Sequence, residues 1–392
     1  MRKSKRFTAL TLVAGLAVMA AACGSDDKTS SDTAAATTAA AASTTAGGAS
    51  TTAGAGASTP SGGSLDGSNV LACEVTDTGG ADDKGFNENA YKGITDAEKE
   101  FGSKGELLES KSDADYAPNI NQFIQKKCNL IVSAGFLLAS ATAEAAKANP
   151  NVQFAIVDAD ANDDNGTPND TADDKNLENV RALTFSSEQP AFLAGYLAAG
   201  MSKSGTVGTY GGIKIPAVTS FMNGFLQGVN KYNEVHGTKV KVLGWNGTDG
   251  SFTNNFESLD DGKKLTQGFV DEGADIVFPV AGPIGLGTSA LAKESGKFRV
   301  IGVDVDQYLS NPEQQSVYLT SVIKKIDASV VDTVRNVIQS GKVGADYVGT
   351  LANSGMDLAP YHDQAADVPQ ALTDEITQLK QDIISGKQTV TP

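Results

Sequence analysis

An α/β protein of two doubly wound lobes, facing each other across a cleft, is the fold class that the sequence predicts. Three observations lead there. Short apolar runs rich in β-branched residues alternate with helical segments, as parallel sheets covered on both faces require. The alternation completes one series and then restarts at "GTVGTYGG". The strand-like runs end repeatedly on Asp, Gly or Ala, in "VTD", "SAG", "VDA", "PVAG" and "GVDVD". Ligands of open α/β sheets bind beyond the carboxyl ends of the strands. A cleft lined by Asp77, Asp158, Gly282 and Asp304 is therefore expected.

The elements follow in order. "NVLACEVTD" reads as a strand, and "FNENAYKGITDAEKEF" sets Phe86, Ala90, Ile94, Ala97 and Phe101 on one helical stripe. "NINQFIQKKC" is helical and "NLIVSAG" a strand; "ASATAEAAKANP" is a helix stopped by Pro150, and "QFAIVDA" and "VRALTF" are strands. A long apolar helix, "EQPAFLAGYLAAGMS", ends the first series. In the second, "GTVGTYGG", "KVKVLGW", "DIVFPVAG", "RVIGVDVD" and "YLTSVI" are strands. "PAVTSFMNGFLQGVNKYN", "DDGKKLTQGFVDEG", "LGTSALAKESG", "IDASVVDTVRNVIQSG" and "LTDEITQLKQDIIS" are helices, the first with Pro216 near its first turn.

Residues 1–22 stand apart from this pattern. "MRKSKRF" carries four positive charges and precedes an apolar run of about 15 residues, too short for a span of about 20. It reads as an export signal ending at "AAAC", which resembles the lipobox of bacterial lipoproteins, with Ala20 where that pattern prefers Leu. The resemblance implies cleavage before Cys23 and lipidation of that cysteine; a plain secretory signal is the other reading. Residues 23–68 are almost wholly Ala, Thr, Ser and Gly and cannot bury a core. As a coil they would average roughly 35–40 Å end to end, a tether between anchor and body. Removing four basic residues and no acid from totals of 31 and 47 leaves a net charge near −20, the wrong sign for nucleic acid. With Cys23 assigned, Cys73 and Cys128 remain, either as a disulfide in an export compartment, the expected state, or as two buried thiols.

Catalytic and cofactor motifs are missing. The two histidines, His236 and His362, lie at no strand end and in no metal-ligand spacing, and the chain has no G-x-S-x-G, Walker A, C-x-x-C or H-E-x-x-H. The glycines of "TDTGGADDKG" are not spaced G-x-G-x-x-G, and its aspartates would repel a pyrophosphate. The Asp/Asn-rich stretch 158–176 suggests calcium, but a loop counted from Asp160 puts Asn165 where an EF-hand needs Gly, with Gly166 one late. It reads as a solvated insertion. No enzyme activity, metal or cofactor is expected.

Seven blocks occur in a familiar order: "TDTGGADDKGFN", "FAIVDA", "EQPAFLAGYLAA", "GFLQGVNKYN", "DEGADIVFPVAG", "VIGVDVDQ" and "LTSVIKKID". Together they resemble the basic membrane protein family of bacterial solute-binding lipoproteins, which includes purine nucleoside receptors. The likeness spans Asn69 to about Lys387. It implies a type I periplasmic-binding-protein fold, with one lobe at about 69–185 plus part of 308–342 and the other at about 186–307 plus about 343–392. It also implies an extracytoplasmic, monomeric receptor that feeds an ATP-driven importer through permease subunits. Matched block by block, the base would stack between Phe86 and Phe256. Asp77, Asn87, Asp158, Gly282, Asp304 or Asp306, and Lys324 would bond base and ribose. Gly85 departs from the usual Ser, and the longer "WNGTDGSFTNN" leaves Trp245 and Phe252 as rival stackers.

The residues support this chemistry without the family. An aromatic pair grips a flat base, and carboxylates accept from ring N–H and hydroxyl groups. Each residue also has a plainer role open to it. Phe86 lies on a core stripe, Asp82 and Asp83 suit a helix N-terminus, and Lys324 could pair with Asp327. A sugar receptor or a tethered sensor are the alternative functions. If Cys23 is the lipid anchor, Cys23→Ala should abolish partitioning into the detergent phase. Unchanged partitioning of the variant would refute the anchor.

Overall fold

The computed structural model describes residues 65–163 and 175–392. The signal, Cys23 and all but the last four residues of the Ala/Thr/Ser/Gly stretch lie outside the described residues, as does most of the Asp/Asn-rich insertion.

The first lobe runs β1 (Leu71–Val75), α1 (Phe86–Phe101), β2 (Lys104–Leu108), α2 (Tyr116–Lys126), β3 (Leu130–Ala134), α3 (Ala139–Ala148), β4 (Gln153–Val157) and β5 (Val180–Phe185). The second runs α4 (Glu188–Met201), β6 (Thr206–Gly211), α5 (Pro216–His236), β7 (Lys241–Leu243), α6 (Leu259–Asp271), β8 (Ile276–Val280), α7 (Gly285–Ser295), β9 (Arg299–Asp304), α8 (Gln307–Ser310) and β10 (Tyr318–Lys324). The chain then recrosses with α9 (Ile326–Ser340) and β11 (Tyr347–Gly349) and returns with β12 (Met356–Leu358) and α10 (Gln370–Ile384).

Two six-stranded sheets result, in the orders β11-β5-β4-β3-β1-β2 and β12-β10-β9-β8-β6-β7. All described pairings are parallel except that of β12 with β10. Strand order reverses between β1 and β3 in one sheet and between β6 and β8 in the other. These switch points are where α/β sheets open a crevice. The lobes are joined by three chain crossings: β5 to α4, β10 to α9, and β11 to β12.

The doubly wound reading therefore holds, with corrections at the edges. The half-exposed β2, "KGELL", has too little apolar patterning to show in the sequence. The three-residue β11 pairs with β5 and extends the first sheet, whereas the sequence reading gave about 343–392 to the second lobe. The last crossing thus falls after Gly349. Beside the first switch point, Cys73 of β1 and Cys128 ahead of β3 are joined as a disulfide, with Cα atoms 6.2 Å apart.

The expected α1 stripe is observed: Ala90, Ile94, Ala97 and Phe101 are buried, and Gly102, at φ +74°, closes the helix in the left-handed conformation. α4 is buried along almost its whole length, as a helix apolar all round must be. It packs on α5 with backbones nearly touching. A Cβ added at Gly195 would lie 2.1 Å from the Phe225 carbonyl oxygen, and one at Gly228 would lie 2.0 Å from that of Phe192. Gly228→Ala should therefore force the helices apart and cost about 2–3 kcal/mol. Gly268→Ala, in α6 with nothing near its added methyl, should instead stabilise by about 0.5–1 kcal/mol. Urea unfolding of the two variants tests this opposition in sign.

Candidate functional site

A cavity lies where the carboxyl ends of the two sheets face each other. Asp77, Phe86, Asn87, Asp158, Phe256, Gly282, Asp304 and Lys324 all line it. Its position follows from how the strands stop. Gly135 after β3 (φ +112°), Asp158 after β4 (φ +61°), Gly282 after β8 (φ +53°) and Asp304 ending β9 (φ +68°) all adopt positive φ. Aspartate tolerates this region better than most residues with a Cβ, so a strand can turn there and still present a carboxylate.

The charged centre is a buried triad. Lys324 Nζ donates to Asp158 Oδ2 at 2.5 Å and lies 3.2 Å from Asp304 Oδ1. The lysine side chain is only 2% exposed and is surrounded by the rings of Phe86 and Phe221, each 5.0 Å from Nζ, and of Phe185 at 5.7 Å. Burial works against its charge, but the two aspartates outweigh it and raise its pKa. One ammonium can donate to both acids but carries a single charge against two. Asp304 is the less closely held: burial keeps its pKa up against the pull of Lys324, and its Oδ1, 3.2 Å from the ammonium, receives no well-directed hydrogen bond among the described residues.

A second polar group starts at Asp77. Its Oδ1 accepts from Asn87 Nδ2 at 2.8 Å and from the Gly79 N–H at 2.9 Å. Burial raises its pKa against those two bonds, with Asp304 and Glu257 adding to the rise. Asp83 caps α1, accepting from the backbone N–H of Gly85, Asn87 and Glu88. Burial nevertheless pushes it up to about 7. The capping role read from the sequence thus belongs to Asp83, while exposed Asp82 pairs with Lys84.

Glycines lie beside both rings. An added Cβ at Gly135 would lie 3.6 Å from Phe86 Cε1, and one at Gly212 would lie 2.2 Å from Phe256 Cε1. The rival stackers are elsewhere. Trp245 donates its indole N–H to Asn223 Oδ1 at 2.8 Å, and Phe252 packs edge-on to it at 6.0 Å; neither lines the cavity. Asp306 must also be corrected. β9 ends at Asp304, and Asp306 turns away to bond His362 Nε2 at 2.7 Å, under a His362 ring stacked 4.0 Å from Tyr308.

The sequence reading missed Ile215, Val218 and Phe221 of the α5 entry, and Phe136 and Leu137 beyond β3. Phe221 gave no separate signal, because it continues the core stripe of α5 and packs on Phe278. No Ser, Thr, Cys, His or Tyr is among the described lining residues. The cavity can grip, hydrogen-bond and exclude water.

The triad makes a prediction. Lys324→Met would leave two aspartates buried without their cation and should cost about 3–5 kcal/mol at neutral pH. The deficit should shrink as pH falls towards 4.5, because protonation discharges Asp304, whose folded-state pKa burial raises. Urea unfolding at pH 4.5 and 7.5 measures both values.

Residues 71–390 match the family model described as "ABC transporter substrate-binding protein PnrA-like". The chain is 30% identical over 348 residues to the "CD4+ T-cell-stimulating antigen" of Listeria innocua, covering 83% of this chain and 89% of that protein. It is likewise 30% identical to the "ABC transporter nucleoside-binding protein BmpA" of Lactococcus lactis, over 82% of this chain and 89% of that one. Among solved structures, an ABC transporter solute-binding protein of Aeropyrum pernix superposes with a TM-score of 0.72 at 23% identity, covering 82% and 94% of the two chains. The likeness read from the seven blocks is thereby established: the chain belongs to the PnrA-like family of ABC transporter substrate-binding proteins, and it is an extracytoplasmic, lipid-anchored, non-catalytic solute receptor serving permease and ATPase subunits.

Proposed function

We propose that the solute is a purine nucleoside, held with its base between Phe86 and Phe256 and its ribose on Asp304 and Lys324. The observation that carries this reading is Asp304 Oδ1, a buried acceptor that Lys324 approaches to 3.2 Å without a well-directed hydrogen bond, in a cavity walled by aromatic rings from both lobes. A ribose hydroxyl supplies a directed donor. Lys324 keeps donor capacity for ribose oxygens, and Asp77 offers an acceptor to the base. The base adds stacking that every purine can make.

Charge narrows the class further. Lys324 is the one basic residue among the described lining residues, against Asp77, Asp83, Asp158 and Asp304. A phosphate brought here would meet more negative than positive charge, so the site suits neutral ligands and rejects nucleotides. Ligand also accounts for the signal to the importer. Lobe one brings Phe86, Asn87 and Asp158, and lobe two brings Phe256, Asp304 and Lys324. Only the closed arrangement lets the solute touch both sets.

Calorimetric titration with adenosine, guanosine, inosine, adenosine monophosphate and ribose tests the proposal. Nucleosides should bind, and the monophosphate should bind at least about 100-fold more weakly. Phe256→Ala should lose roughly 5- to 150-fold in affinity, about 1–3 kcal/mol, with little change in the melting temperature of the empty protein. Asp304→Ala should penalise nucleosides more than free bases. Ribose binding with no nucleoside binding would overturn the aromatic clamp and make the protein a sugar receptor.

A further inference from the structure

Glu74 sits within β1 with no exposed surface, and neither carboxylate oxygen has a hydrogen-bond partner among the described residues. It alternates with Ala72 and Thr76, so it points to the face of β1 that packs on α1. Ala72 shares a core with Ala90 and Ile94 of that helix. Across the sheet Glu74 stands beside Leu107 of β2 and Val132 of β3. An ionised carboxylate in this place has no compensating donor.

The charged groups around it are acids. After burial itself, Asp83 and then Asp77 raise the Glu74 pKa well above the ordinary range. From α1 the titratable neighbour is Tyr91, whose hydroxyl is pushed up by burial and then by Glu98, Glu74 and Glu106. Asp83 and Asp77 are also the groups that hold the start of α1. Asp83 caps it through three backbone N–H groups, and Asn87 Nδ2 bridges Asp77 at 2.8 Å and Asp83 at 3.3 Å. These bonds set Phe86 and Asn87 against the cavity.

We propose that Glu74 is a positioning residue for the ligand cavity, held as a neutral carboxylic acid whose ionisation adds negative charge behind the acids anchoring α1 and so loosens the Phe86–Asn87 wall as pH rises. The role in binding rests on the nucleoside reading above; the proton linkage does not. Folded Glu74 binds its proton more tightly than the unfolded chain. Its stabilising share is therefore complete below about pH 4.3, the ordinary glutamate value, and is lost as pH climbs through the raised folded-state value.

Melting of the full chain without ligand, from pH 4.5 to 8.5, is compared for wild type, Glu74→Gln and Glu74→Val, the second variant guarding against a poorly folded first. Relative to wild type, the variants should gain about 3 °C or more over that range. A gap that stays constant with pH would overturn the linkage. Adenosine affinity, titrated over the same range, should fall with pH more steeply in wild type than in Glu74→Gln. Equal affinity profiles with a pH-dependent melting gap would overturn the positioning role. If adenosine fails to bind wild type at any pH while the melting gap opens as expected, the nucleoside reading and the positioning role fall and the linkage stands.

Discussion

Lys324 is the basic side chain of the cavity, and the arrangement of the lobes is legible from what it touches. It ends β10, the last long strand of the second sheet, one residue before the chain passes to α9 and back to the first lobe. Its ammonium reaches Asp158 of one lobe and Asp304 of the other. A cation at a chain crossing, shared by acids from two bodies, makes the distance between those bodies an electrostatic quantity. Separating the lobes strands one carboxylate; bringing them together crowds two against a single charge. A ligand that donates to Asp304 would ease that crowding.

The aromatic walls depend on a different constraint, space. Phe256 lies close over the backbone at Gly212, where a Cβ would come within 2.2 Å of the ring, whereas Phe86 keeps ordinary contact distance from the Cβ position of Gly135. The Phe256 ring can approach its strand end because that end carries no Cβ at the point of contact. In lobe two α4 and α5 cross with their backbones nearly touching, at Gly195 and Gly228.

Much of this was readable in the sequence, for reasons that can be named. Asp77, Asp158 and Asp304 announced themselves because each terminates an apolar run, and a buried parallel strand has few other reasons to finish on a charge. Phe86 and Asn87 were placed only by the resemblance of "DDKGFN" to a family block, since the helical stripe alone left Phe86 open as a core residue. Asp306 was misleading because it alternates with Asp304 as though the strand continued. The left-handed turn at Asp304 breaks that alternation, and the partner that claims Asp306, His362, is remote in sequence. Phe221 was hidden by being an ordinary member of a core stripe until three-dimensional packing put Lys324 beside it. β2, β11 and β12 were invisible for want of length or apolar pattern, and Glu74 because a single acid inside "LACEV" does not reveal that no donor will meet it.

The two sheets carry the same strand order, so each position in one has a counterpart in the other. β4 corresponds to β9, which makes Asp158 and Asp304 equivalents, and both adopt nearly the same positive φ. β5 corresponds to β10, yet one ends on Phe185 and the other on Lys324, with that ring 5.7 Å from the ammonium. The lobes thus form a pseudo-symmetric pair whose symmetry is broken at this strand end. A second lysine in place of Phe185 would crowd the first. A phenylalanine in place of Lys324 would leave the twin acids facing each other uncompensated. The broken equivalence gives the cleft a head and a tail.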